Sequence, residues 1–217
     1  MPIDFNHARH AMVEQQVRPW EVLDRRVLDV LGQVRREDFT PVRHRKLAFT
    51  DLAIPLEHGE FMMKPIVEGR LLQALDVAET DEVLEIGFGT GFLTACLAQL
   101  ARSVSAIELR ADFVTAAQRR LAERGIINAR LECADATQWK TTQRFDAILV
   151  GGAVATLPES FIHWLKPGGR LVLVRGQSPA QEAICLRNDT AGRSIDSLFE
   201  TDIPYLRGFA PEARFTL

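Results

Sequence analysis

The chain has 217 residues, 47% of them hydrophobic and 25% charged, with 14 Gly and 10 Pro. Its length is about 1.4 times a typical domain of roughly 150 residues, and the composition excludes collagen-like and disordered classes. With 26 Lys+Arg against 29 Asp+Glu the formal charge is −3, which argues against a protein held on DNA mainly by charge.

Cys96, Cys133 and Cys185 cannot all pair, and none stands at metal-ligand spacing. They read as reduced, buried thiols of a cytoplasmic protein with no metal site. The first ten residues lack the apolar stretch of a signal peptide. No apolar run approaches the ~18 residues of a membrane span.

In chain order, residues 6–17 and 21–34 have a helical apolar period, with Pro19 between them. Residues 35–65 carry Pro41, Pro55, Gly59 and Pro65 and read as loop with short elements. From Arg18 to Lys46 there are eight Lys/Arg and five Asp/Glu. With Trp20 and Phe39 its only aromatic residues and neither set among a run of basic ones, this stretch reads as a solvated helix face rather than an RNA or phosphate patch.

From residue 66 strands and helices alternate. Helices are expected over 66–75, 93–100, 111–124 and 158–165, and strands over 82–86, 103–107, 129–133, 145–150 and 170–174. Late strands are expected at 184–186 and 199–203. Such alternation with short connections implies βαβ units, a mostly parallel sheet and helices on both faces. The chain divides into an N-terminal helical extension (1–65), an α/β core (66–176) and C-terminal strands packing on that core (177–217), all within one domain.

The densest signal is Val83-Leu84-Glu85-Ile86-Gly87-Phe88-Gly89-Thr90-Gly91-Phe92. A buried strand runs into glycines at alternate positions and then into a helix. Glycine suits such a place because the chain turns sharply and its backbone lies against a ligand. The dinucleotide fingerprint would need Gly at position 92, where Phe stands. The spacing, acidic-x-Gly-x-Gly-x-Gly, resembles the first motif of class I methyltransferases that use S-adenosyl-L-methionine. A pyrophosphate wants a helix N-terminus without a nearby anion. A ligand with an ammonium and a sulfonium is instead suited by a carboxylate at Glu85.

Further positions fit that ligand. Glu108 closes the second strand, 21 residues after Gly87. Its carboxylate, with Leu109 beside it, can accept hydrogen bonds from ribose hydroxyls. Asp135 follows the third strand and, as in methyltransferases, would meet the adenine amino group, with the Ala136 N–H on the ring. The competing reading for Asp135 is a helix N-cap. Gly151-Gly152 lies at the C-terminal sheet edge, where open α/β folds bind ligands, or is a plain turn. The expected cofactor set is Glu85, Gly87, Gly89, Gly91, Glu108, Leu109, Asp135, Ala136 and Gly151.

With their flanks these residues resemble the protein-L-isoaspartate O-methyltransferase family. Met12-Val13-Glu14-Gln15-Gln16 resembles its opening helix, and Arg26 to Leu31, Val34 to Phe39 and Pro41 its next segment. Leu47 to Asp51, Ile54-Pro55-Leu56 and His58-Gly59-Glu60 follow in the same order, and Phe145 to Ile148 and Gly168 to Val172 resemble core motifs. The likeness covers roughly residues 12 to 176. It implies a Rossmann-like class I methyltransferase fold and methyl-ester formation on isoaspartyl carboxylates of damaged proteins.

One stretch departs. Where the family has Thr-Ile-Ser-Gln before a proline, this chain has Phe61-Met62-Met63-Lys64 before Pro65. Small hydroxyl donors have become apolar side chains, and Met offers no hydrogen-bond donor. The family's loop serine therefore has no counterpart. Lys64, as a cation for an anionic acceptor or a surface Lys paired with Glu57 or Glu60, and His58, as a base or a structural residue, are the candidates left. A carboxylate nucleophile is ionised at pH 7 and needs no base, whereas an alcohol or protonated amine would. Three readings stay open: an isoaspartyl methyltransferase, a methyltransferase for another protein, peptide or small-molecule acceptor, and a cofactor-binding relative without turnover. Nucleic-acid and membrane partners are not expected.

Overall fold

The computed structural model describes residues 3–189 and 192–212. The N-terminal part comprises helices α1 (Phe5–Met12), α2 (Arg25–Gln33) and α3 (Arg36–Phe39), and a minimal hairpin of β1 (Ile54–Pro55) and β2 (Phe61–Met62). Helix α4 (Pro65–Leu75) leads into the core: β3 (Glu82–Ile86), α5 (Phe92–Leu100), β4 (Ser103–Glu108), α6 (Ala111–Ala122) and β5 (Ala129–Cys133). Then come β6 (Phe145–Val154), α7 (Glu159–His163), β7 (Leu165–Gln177), β8 (Ala180–Asp189) and β9 (Gly192–Thr201).

The sheet has seven strands in the order β5-β4-β3-β6-β7-β8-β9. β5 to β7 pair in parallel, and β8 and β9 add antiparallel. β3 runs outward to β4 and β5 on one side and meets β6 on the other. The order therefore reverses at β3/β6, and the C-terminal ends of these strands open a crevice. The expected α/β class with a mostly parallel sheet is what the chain adopts.

Several boundaries differ from the sequence reading. After α1 the chain widens into one π turn (Val13–Val17) and then tightens into a 3-10 turn at Arg18–Trp20 around Pro19. Glu21 adopts φ 65°, so the helix cannot continue. α2 starts only at Arg25, because the Asp24 carboxylate accepts from the Arg26 N–H at 2.8 Å and caps the new first turn. β6 runs on through Gly151-Gly152 to Val154, and β7 starts at Leu165 and runs through Gly168-Gly169 with a register shift against β6. β8 and β9 are each ten residues long, and β9 ends at Thr201, before Ile203. Cys96 and Cys185 are buried, but Cys133, on the edge strand β5, is exposed. No helix among the described residues is long and apolar enough to cross a membrane.

The N-terminal helices share one apolar cluster with the core: Met12, Val17, Val27 and Leu31 are buried with Leu71, Leu72, Phe92 and Leu97. Within this seam lies a buried charge that sequence reading assigned to solvent. Arg36 is 0% exposed. Its guanidinium donates to the Ala48 carbonyl at 2.8 Å, to the Met63 carbonyl at 2.6 Å and to the Glu68 carboxylate. It also lies 4.9 Å from the Phe92 ring centroid. Arg9 and Glu37 form a second buried pair at 2.5 Å. The charged stretch from Arg18 to Lys46 thus contributes ion pairs to the core as well as a wetted surface.

Burial pushes the Glu68 carboxyl up to about 7, with Arg36 pulling it back down. Between the ordinary value of 4.5 and 7 the native chain holds this proton more tightly than the unfolded chain, so its contribution to stability falls as pH rises through that window. Arg36→Met strands Glu68 and two carbonyls. Denaturant titration should show a loss of about 3–5 kcal/mol at pH 8, and a smaller loss at pH 5, where Glu68 is already neutral in the fold. Equal losses at both pH values would contradict this account of the pair.

Candidate active site

The glycine loop leaves β3 at the reversal point. Gly87, Gly89 and Gly91 have φ of 77°, 54° and 84°, a region that disfavours side chains. A Cβ on Gly87 would meet Leu206 Cδ1 at 2.7 Å, and one on Gly91 would meet the Ala117 Cβ at 3.0 Å. The first glycine therefore admits another chain segment, and the third lets α5 pack on α6.

The loop forms one wall of a solvent-open cleft of about 950 Å³. Gly87 and Gly89 line it with Glu108, Leu109, Asp135, Ala136 and Gly151. These are seven of the nine residues expected to meet the cofactor. Gly91 lies behind the loop at the start of α5. Glu85 lies beneath it and faces a smaller adjoining cavity with Glu68, Met63 and Phe92.

The acids differ in setting. At Glu108, Oε2 accepts from the Gly89 N–H and Oε1 from the Arg110 N–H, each at 3.0 Å. Burial raises its pKa and these backbone donors lower it, with a net rise. The carboxylate thus holds the glycine loop and still borders the cleft. Asp135 Oδ1 accepts from the Thr137 N–H at 2.8 Å and the Thr137 hydroxyl at 2.7 Å, so that oxygen closes a local turn; no helix follows it before β6, and the helix-cap reading does not hold. Glu85 is 1% exposed and accepts from the Thr94 hydroxyl at 2.6 Å. Burial outweighs that bond and pushes its carboxyl up to about 8.

The opposite wall comes from the substituted stretch and from the C-terminal segment. Phe61, Met63 and Lys64 line the cleft, as do Tyr205, Leu206 and Arg207. Residues 202–209 run beside the end of β6: the Ala153 N–H donates to the Pro204 carbonyl at 2.9 Å, and the Leu206 N–H to the Ala153 carbonyl at 2.8 Å. A Cβ on Gly152 would strike the Leu206 backbone, and one on Gly151 the Gly87 carbonyl. The glycine pair is therefore neither a turn nor solely a ligand contact; it lets three backbone segments converge. Nothing in the sequence marked Leu206 or Arg36, because both act through partners distant in the chain.

His58 is not brought to the cleft. Its Nε2 lies 2.9 Å from the Asp112 carboxylate, and its ring meets Phe113 edge-on at 5.6 Å. That hydrogen bond holds the Asp112 carboxyl below its ordinary range. Lys64 is not paired with Glu57 or Glu60 either. Glu57 pairs with Arg43 at 3.1 Å, and Glu60 lies 3.6 Å from Arg110 and 3.9 Å from Arg207.

The sequence matches the family model for protein-L-isoaspartate(D-aspartate) O-methyltransferase (PCMT) over residues 7–202. It is 34% identical over 186 residues to the protein-L-isoaspartate O-methyltransferase of Koribacter versatilis, covering 85% of this chain and 83% of that one. It is 35% identical over 181 residues to the enzyme of that name from Petrotoga mobilis, covering 82% and 85%. The fold is similar to a crystal structure of a Plasmodium falciparum protein assigned as a protein-L-isoaspartate O-methyltransferase, in complex with S-adenosyl-L-homocysteine. The TM-score is 0.80 at 20% identity, over 92% of this chain and 98% of that one. With the family model spanning most of its length and relatives above 30% identity at both ends of the comparison, this chain belongs to the protein-L-isoaspartate(D-aspartate) O-methyltransferase family.

Proposed function

We propose that this protein transfers the methyl group of S-adenosyl-L-methionine to an isoaspartyl carboxylate, forming a methyl ester. The observation that carries the reading is Glu108, whose carboxylate ties the glycine loop at Gly89 while bordering the cleft at the β4 end.

The residues present fit such a cofactor. Glu108 offers acceptor lone pairs to a ribose. Ile107, Leu109 and Ala136 supply an apolar slot for a base, with the free oxygen of Asp135 at its rim. Beneath the loop, Glu85 borders the adjoining cavity; with its carboxyl raised to about 8 by burial it is mostly protonated at neutral pH, and it would give up that proton to face a bound cation. When bound, the cofactor supplies an activated methyl and its own leaving group.

The chain's own contribution is then alignment. An acceptor carboxylate is ionised at neutral pH, its reference pKa being near 4, so no base has to remove a proton. This accords with His58 standing outside the cleft, held by Asp112. What the acceptor needs is a fixed angle of approach and exclusion of water, which can supply a large share of a rate enhancement. The buried Arg36 fixes the Met63 carbonyl on the acceptor side, and Leu206 packs over Gly87 from the other. The apolar walls at Phe61 and Met63 favour an acceptor with an apolar neighbour beside its carboxylate, on a peptide or on a smaller molecule.

An isoaspartyl hexapeptide with methyl-labelled cofactor should yield base-labile methyl esters. Cofactor binding with no ester formed would contradict the acceptor assignment. Glu108→Ala should weaken S-adenosyl-L-methionine binding about tenfold or more by calorimetry, the size of a lost hydrogen bond to a charged group. Unchanged affinity would remove Glu108 from the cofactor site.

A further inference from the structure

The cleft is acidic. Glu60, Glu108, Asp135 and Asp202 all line it. An anionic acceptor entering it meets these carboxylates in a partly desolvated space, where charge interactions are stronger than in water. It therefore needs a cation or a donor of its own. The lining side chains able to donate are Lys64, Tyr205 and Arg207.

One of the three is engaged and a second is drawn toward a carboxylate. Tyr205 Oη accepts from the Ser178 N–H at 2.9 Å and donates to the Gly176 carbonyl at 3.1 Å, so its hydroxyl is used in holding the strand end. Arg207 faces Glu60 at 3.9 Å. Among the described residues Lys64 has neither an acidic partner nor a side-chain hydrogen bond. Its root is held from both sides. Arg36 grips the preceding Met63 carbonyl, and Pro65 opens α4 directly after it. The Lys64 carbonyl accepts from the Glu68 N–H at 3.0 Å. A fixed backbone thus carries a flexible stem with a compact charge at the cleft wall, in the stretch where hydroxyl side chains are missing.

We infer that Lys64 is the acceptor-binding residue of this enzyme and holds the isoaspartyl carboxylate through its ammonium group. The inference rests on the methyl-transfer reading, but it concerns binding and is read apart from turnover. A cation attracts the ionised carboxylate of the acceptor and has no comparable hold on a neutral carboxamide. Lysine also makes this hold long-range and salt-sensitive, as a neutral hydroxyl would not.

The test uses the full chain saturated with S-adenosyl-L-homocysteine, which cannot donate a methyl. An isoaspartyl hexapeptide and its counterpart with the free α-carboxyl converted to a carboxamide are each titrated by calorimetry. The wild type should bind the acid at least about tenfold more tightly than the amide. Lys64→Met keeps the stem and should erase that preference while leaving S-adenosyl-L-homocysteine affinity unchanged. Lys64→Arg should restore much of it. Absence of a preference in the wild type, its persistence in Lys64→Met, or failure of both peptides to bind would each overturn the inference. Binding with the expected preference but no methyl ester in the turnover assay would instead overturn the proposed reaction and leave Lys64 in its role.

Discussion

The guanidinium of Arg36 is the point on which the rest of the site depends. A buried guanidinium carries five N–H donors and a charge, and leaving them unmet would cost several kcal/mol. Its partners come from four separate places: the Ala48 carbonyl, the Met63 carbonyl, the Glu68 carboxylate and the Phe92 ring. Satisfying Arg36 therefore brings the N-terminal segment, the substituted loop, α4 and α5 together. The loop that closes the cleft is not draped over the core; it is held at one carbonyl by an ion pair inside it.

In the proposed reaction this arrangement separates two functions that share a cleft. The donor side belongs to the sheet. Gly87, Gly89, Glu108 and Asp135 stand at the ends of β3, β4 and β5, and the Glu108–Gly89 bond fixes the loop to the neighbouring strand. The acceptor side belongs to segments outside the parallel strands: residues 61–64 before α4, and residues 204–207 after β9. Such segments can change composition without disturbing strand pairing. Phe61, Met63 and Lys64 stand on that outer wall, while Glu108 and Asp135 stand on the sheet side and Glu85 beneath the loop.

Legibility in the sequence followed the range of the interactions. Strand β3, the glycine loop and α5 were readable because an apolar strand, alternate glycines and a helical period are local signals. So were β4, β5 and the acids that close them. Helix ends that hinge on one residue, such as Glu21 or the Asp24 cap, shifted by several positions. Arg36 looked like one more charge in a charged stretch. Its burial depends on Glu68, 32 residues on, and on carbonyls that no side-chain pattern encodes. The Gly151-Gly152 pair was visible, but its reason was not: Leu206 crosses there from the far end of the chain. His58 stood in a suggestive block, and only the fold shows Asp112 holding it away from the cleft.

In the proposed reaction the donor site is independent of the acceptor wall. Restoring the family's residues with Phe61→Thr, Met63→Ser and Lys64→Gln in one variant tests it most directly, with cofactor affinity and acceptor KM measured on the same preparation. Independence predicts that S-adenosyl-L-methionine affinity stays within about twofold, while the acceptor KM moves by about tenfold, equivalent to 1.4 kcal/mol. A loss of cofactor affinity as large as the change in acceptor KM would contradict it.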